Sequence, residues 1–256
     1  MATNFRLRSR NKPLREVYVW ELPVRLFHWI NALCILILCI TGFMIGDPPA
    51  FQSAGQAYDQ YWFGHIRFIH FVTAFIFTFN FIFRLYWGFV GNVFSRWYNY
   101  VPIHKSQWVQ MYNVMRVDVL QIKNRPVATI GHNSMASTIY FLLFLAFVAQ
   151  VFTGFALIAP MSMNYFPSWL FSWVAPLLGG DMMVRQIHHF LMWFFILVAI
   201  VHVYLVIYHD YIDSEGITSS MIGGWKFIPE KEVERFEAEE SKGKKAVLED
   251  LDRLKS

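Results

Sequence analysis

The stretch H-H-F-L-M-W-F-F-I-L-V-A-I-V-H, residues 188–202, decides how this chain folds. A histidine stands at each end, and apart from His189 everything between is apolar. His188 and His202 are 14 residues apart. On an α-helix that is about 1400° of rotation, so the two side chains face within about 40° of each other and stand about 21 Å apart along the axis. The apolar run around them extends over Val184–Tyr208, long enough for a bilayer crossing, which takes about 20 residues.

Three further runs meet the same requirement: Val24–Ile45, Arg67–Phe89 and Ser134–Ile158. Composition agrees. The 256 residues are 56% hydrophobic, 19% aromatic and 16% charged, with mean hydropathy +0.36. Between Leu26 and His209 there are only eight Lys+Arg and four Asp+Glu; the remaining charges sit in the two ends. That distribution excludes a soluble enzyme, a disordered protein and a nucleic-acid binder. The expected fold is all-α: a polytopic membrane protein built as a four-transmembrane-helix bundle.

Basic residues set the expected orientation. Arg6, Arg8, Arg10, Lys12, Arg15 and Arg25 precede the first span, and Arg96, Lys105, Arg116, Lys123 and Arg125 lie between the second and third. The other two connections carry Asp47, Asp59 and Asp181. The positive-inside rule places both termini and the middle loop in the cytoplasm. The organisation is then a basic segment 1–23, a membrane domain 24–208 with an interfacial loop 90–133, and a charged cytoplasmic tail 209–256. In the loop, Trp108, Met111, Tyr112, Met115, Val119 and Ile122 recur at helical spacing, as in an amphipathic helix lying on the membrane. The tail, with twelve acids and eight bases, reads as a solvated extension with a short helix near Lys245–Lys255. Tyr165, Phe166, Trp169, Phe171 and Trp173 crowd the loop before the fourth span, either as an aromatic belt or as a docking surface. The basic N-terminus followed by a long apolar run without a cleavage site reads as a retained span, not a signal peptide. Cys34 and Cys39 point about 140° apart on one helix and cannot bridge. No C-x-x-C-H or cysteine cluster is present for covalent haem, zinc or iron–sulfur binding.

Ionisable side chains inside a membrane helix are costly and mark function. Four of the nine histidines fall inside the spans. His70 and His188 lie toward the outer side, His28 and His202 toward the inner side, each pair drawn from two helices. Neutral imidazole is the usual axial ligand of haem iron, and bundles build such sites from facing helices. The pattern predicts two stacked haems, His70 and His188 holding the outer, His28 and His202 the inner. A helix–helix hydrogen bond, a proton path or a transition-metal site are the alternatives. The 14-residue step recurs: Gly42 follows His28, and Arg84 follows His70. The tripeptide T-G-F occurs at Thr41–Phe43 and at Thr153–Phe155. Gly42 and Gly154 are expected to leave room for the outer macrocycle, and Arg84 to meet a propionate of the inner one. His65, His104, His132, His189 and His209 lie at or beyond the interfaces, His65 being the nearest rival to His70.

The run R-L-F-H-W-I-N-A-L-C-I-L-I-L-C-I-T-G, Arg25–Gly42, resembles the first signature of the b-type cytochrome subunits of nickel–iron hydrogenases. I-R-F-I-H-F at Ile66–Phe71, followed by F-R-L-Y-W-G-F-V-G-N at Phe83–Asn92, resembles their second span. H-H-F-L-M-W, with His202 fourteen residues after His188 and then V-Y, resembles their fourth. The resemblance implies that His28, His70, His188 and His202 ligate two haems b. It also implies a membrane anchor in the bacterial cytoplasmic membrane for a periplasmic hydrogenase of small (iron–sulfur) and large subunits. Electrons would pass to the outer haem, then the inner haem, then menaquinone or ubiquinone. Related formate dehydrogenase cytochromes bind quinone near the inner haem with an Asn at the start of span three. G-H-N at Gly131–Asn133 occupies that place here, with His132 as a proton relay, while Ser137 stands where many hydrogenase relatives have Gln. Asn133 also suits a plain helix cap. The rival functions are a formate dehydrogenase or similar cytochrome subunit, and a haem-free transporter or structural anchor.

Overall fold

A computed structural model describes residues 13–49, 61–97, 134–161, 168–213 and 216–238, together with residues 109, 112 and 241. Arg6, Arg8, Arg10 and Lys12, most of the expected interfacial helix, Gly131–Asn133, Tyr165, Phe166 and the segment Lys245–Lys255 lie outside the described residues. In chain order the elements are β1 (Leu14–Tyr18), α1 (Leu22–Gly46), α2 (Trp62–Val90), α3 (Ser134–Ile158), α4 (Val174–Leu178), α5 (Asp181–Asp213), α6 (Ile217–Gly223) and β2 (Trp225–Pro229), with residues 230–238 helical.

Helices α1, α2, α3 and α5 are long and apolar enough to cross a membrane. α3 has the bounds expected from the sequence, while α1, α2 and α5 extend a few residues beyond theirs; α2 starts at Trp62, which takes His65 into the helix. One compact unit comprises Pro23–Val101 with Thr138–Val203. Its core draws on all four spans: Cys34 from α1, Phe77 and Phe81 from α2, Ala146 and Phe147 from α3, and Phe195 from α5. Phe147 stands at the centre, its ring 5.1 Å from Phe77 and 5.1 Å from Phe195. Apolar side chains on all sides of a span give no burial signal against lipid, so packing of these rings, not water exclusion, selects the helix faces that meet. A second cluster of Ala156, Val174 and Val184, flanked by Phe152 and Leu178, seats the short α4 between α3 and α5.

The other compact unit comprises Met1–Leu22, Pro102–Ser137 and Tyr204–Ser256. In it β1 and β2 pair antiparallel, Leu14 opposite Pro229 through Tyr18 opposite Trp225. Glu230 N–H donates to the Pro13 carbonyl at 3.0 Å, and the Tyr18 and Trp225 rings lie 5.1 Å apart. Gly224 makes the pairing possible. Its φ is +93°, and an added Cβ would stand 2.5 Å from the Tyr18 ring and 2.8 Å from the Trp20 carbonyl. Its own carbonyl accepts from both Val19 and Trp20 N–H. The expectation of a solvated tail therefore needs correcting for residues 216–238. Ser220, Ile228 and Val233 are buried, and Arg15 pairs with Glu237 at 3.0 Å on the surface. Each strand is five residues long and its partner lies over 190 residues away, which no local pattern announces.

Candidate functional site

The four intramembrane histidines form two pairs in the bundle. His28 on α1 and His202 on α5 face each other with ring centres 6.2 Å apart and planes tilted by 56°. Two imidazoles on one metal, with metal–nitrogen bonds of about 2 Å, have ring centres about 6 Å apart, so this spacing suits a shared iron. His70 on α2 and His188 on α5 mark the second level: Gly42 of α1 stands against both His70 and Met192, one turn after His188 on α5. The phenylalanine layer lies between the levels: Phe77 follows His70 by seven residues, and Phe195 is seven from both His188 and His202.

The His70–His188 level is built twice over by the T-G-F repeat. Thr41 Oγ1 lies 2.8 Å from His70 Nδ1, and Thr153 Oγ1 lies 2.9 Å from His188 Nδ1. Each hydroxyl also donates to the carbonyl one turn back, Thr41 to Ile37 at 2.7 Å and Thr153 to Ala149 at 2.7 Å. The adjoining glycines admit the imidazole edges. A Cβ at Gly154 would meet His188 Cε1 at 3.1 Å; one at Gly42 would meet Met192 Sδ at 3.4 Å and His70 Cε1 at 3.7 Å. Gly42 and Gly154 thus stand at this level, against the rings of the histidines themselves. Gln150 reaches the same place, its Nε2 3.2 Å from His188 Nε2 and its Oε1 buried without a hydrogen-bond partner among the described residues.

The His28–His202 level is held differently. Asn80 Nδ2 donates to the Phe27 carbonyl at 3.1 Å and so ties α2 to α1 beside His28. Arg84 lies over the Phe27 ring at 5.9 Å and donates to the Ser95 carbonyl at 3.0 Å. Ser95 is itself fully buried and bonded to the Asn92 side chain. Arg84 therefore reaches the neighbourhood of His28, where the sequence spacing puts it. His28 Nδ1 and Asn31 Oδ1 are buried with no hydrogen-bond partner among the described residues. A large polar-edged cofactor fits such a place: two imidazoles to hold a metal, a nearby cation, and buried polar atoms that the protein alone leaves unsatisfied.

Two other histidines make contacts of their own. His65 is exposed beside Tyr61, and His189 packs against Phe43, Trp193 and Gly46. Sequence reasoning missed Thr41, Thr153, Gln150, Asn31 and Asn80. The repeated T-G-F was the visible signal for the first two; nothing local marks the rest. Asn133 and His132 are outside the described residues.

Residues 19–224 match the family described as prokaryotic cytochrome b561. The chain is 38% identical over 221 residues to the "Probable Ni/Fe-hydrogenase B-type cytochrome subunit" of Cupriavidus necator, spanning 85% of this chain and 90% of the relative. To the protein of that name from Azotobacter vinelandii it is 38% identical over 217 residues, 83% of this chain and 89% of the relative. The "Probable Ni/Fe-hydrogenase 1 B-type cytochrome subunit" of Escherichia coli is 35% identical over 218 residues, covering 82% and 90%.

Proposed function

The chain belongs to the prokaryotic cytochrome b561 family, with the B-type cytochrome subunits of Ni/Fe hydrogenases, and from that premise we propose a two-haem path from hydrogenase to quinone. One haem b is held by His70 and His188, the other by His28 and His202. The observation that carries this reading is the arrangement of four histidines at two levels on α1, α2 and α5: His28 faces His202, His70 and His188 each meet the threonine of a T-G-F repeat, and a phenylalanine layer occupies the positions between. When bound, the two haems supply reversible one-electron centres at two depths.

The chain's own residues do the remaining work. The imidazoles fix each iron, and Gly42 and Gly154 let two of the rings seat against α1 and α3. Phe77, Phe147 and Phe195 fill the space between the levels and keep water out of it. Arg84 supplies a cation for a propionate near His28. The termini are cytoplasmic, supported by the basic residues around the first span and the middle loop. On that orientation His70 and His188 face the periplasm, where the hydrogenase small subunit delivers electrons and the large subunit completes the complex. Menaquinone or ubiquinone is reduced on this chain at Asn133, with His132 passing protons; that assignment rests on sequence alone.

Purified protein should give a b-type spectrum with two haems per chain. Hydrogen supplied to the complex with its hydrogenase should reduce both. Asn133→Leu should keep both haems and their reduction by hydrogen yet lose quinone reduction. One haem per chain would break the two-level reading, and full quinone activity in Asn133→Leu would remove that residue from the site. Proteoliposomes that oxidise hydrogen with quinone and build no membrane potential would overturn the orientation.

A further inference from the structure

We propose that Thr41 and Thr153 are positioning residues that hold His70 and His188 in the Nδ1-protonated form, and so set the potential of the haem between them below that of the haem at His28 and His202. The inference rests on the haem reading above and adds to it a difference between the two levels.

The argument is one of proton inventory. A threonine hydroxyl has one proton to donate, and a backbone carbonyl can only accept. Thr41 spends that proton on Ile37, and Thr153 on Ala149, both at 2.7 Å. At 2.8 and 2.9 Å from the imidazoles, each Oγ1 must then accept, and the donor is Nδ1–H of the histidine. A neutral imidazole carries one N–H. With that proton at Nδ1, Nε2 presents its lone pair, the form in which it binds iron. Thr41 is 6% and Thr153 is 2% exposed, so water does not compete for either bond. The same device occurs on two different helices for two different histidines, each with glycine following the threonine.

Among the described residues, no threonine hydroxyl meets His28 or His202 in this way. His28 Nδ1 is buried without an acceptor among the described residues. Donation from Nδ1–H raises the basicity of the ring and favours the ferric over the ferrous state. Electrons entering at His70 and His188 then move downhill toward His28 and His202.

Redox titration of the purified haem-loaded complex, followed optically, tests this. Thr41→Val and Thr153→Val should each raise the midpoint of one haem by up to about tenfold in its reduction equilibrium, or about 59 mV for one electron. The other haem should not move, and Thr→Ser at either position should restore the wild-type value. Thr78→Val is the control: Thr78 donates to the Ala74 carbonyl at 2.8 Å in the same way but holds no histidine. Unmoved midpoints, equal movement of both haems, or an equal shift in Thr78→Val would overturn the proposal. If a valine variant fails to retain haem, the wild type decides. In its reduced, diamagnetic state with ¹⁵N-labelled histidine, Nδ1–H of His70 and His188 should exchange slowly with solvent; rapid exchange refutes the threonine bonds. A wild type without any b-type spectrum would instead sink the haem reading itself.

Discussion

The two histidine levels present the same side chains in differently built surroundings. At His70 and His188, hydroxyls and glycines from neighbouring helices fix both rings before any cofactor is considered. At His28 and His202, the rings face each other directly, and the polar atoms His28 Nδ1 and Asn31 Oδ1 have no hydrogen-bond partner among the described residues. The first level is preorganised by the fold. On the two-haem reading, the second would complete its hydrogen bonding only with what it binds. A buried polar group without a partner costs about 1–3 kcal/mol, so the second level should gain more stability from its cofactor than the first.

The largest effect should come from the ligands. His70→Ala or His188→Ala should remove one haem and leave the other, and His28→Ala or His202→Ala should do the reverse, read as haem content and redox titration of each variant. Loss of the His28–His202 haem from a His70 variant, with the other retained, would break the pairing. Next comes the layer that both levels share. Phe147→Ala removes the ring at the centre of the core and should destabilise the bundle by about 3–5 kcal/mol. Thermal unfolding should show it, with both haems lost at one lower temperature. Loss of one haem well before the other would show that the layer belongs to a single level.

Smaller effects separate the levels. Gly154→Ala places a Cβ 3.1 Å from His188, whereas Gly42→Ala meets its nearest neighbours at 3.4 Å and 3.7 Å. The first should cost about 1–3 kcal/mol by overpacking and the second distinctly less, both weakening retention of the His70–His188 haem only. Equal haem retention in Gly154→Ala, Gly42→Ala and wild type would show that the glycines serve helix crossing alone. Asn80→Leu should have the mildest consequence. It forfeits one hydrogen bond to the Phe27 carbonyl, worth about 1 kcal/mol, and should loosen the His28–His202 haem without touching the other. A change confined to the opposite level would refute Asn80 as a support of His28.

Much of this protein was legible in its sequence because a membrane span is a local property. Twenty apolar residues in a row, such as those around His188–His202, specify a helix whatever else the chain does. A single helix carrying two histidines 14 residues apart fixes their spacing and direction through the helical rise and turn alone. Those facts gave four spans and two levels. The tertiary structure decided what depends on helices meeting. That Thr41 serves His70 and Thr153 serves His188 follows from which faces pack, and apolar faces that suit lipid and protein equally carry no sequence signal of their own. The pairing of β1 with β2 was likewise hidden, because two five-residue strands so far apart in sequence are recognisable only once the folded chain has brought them together.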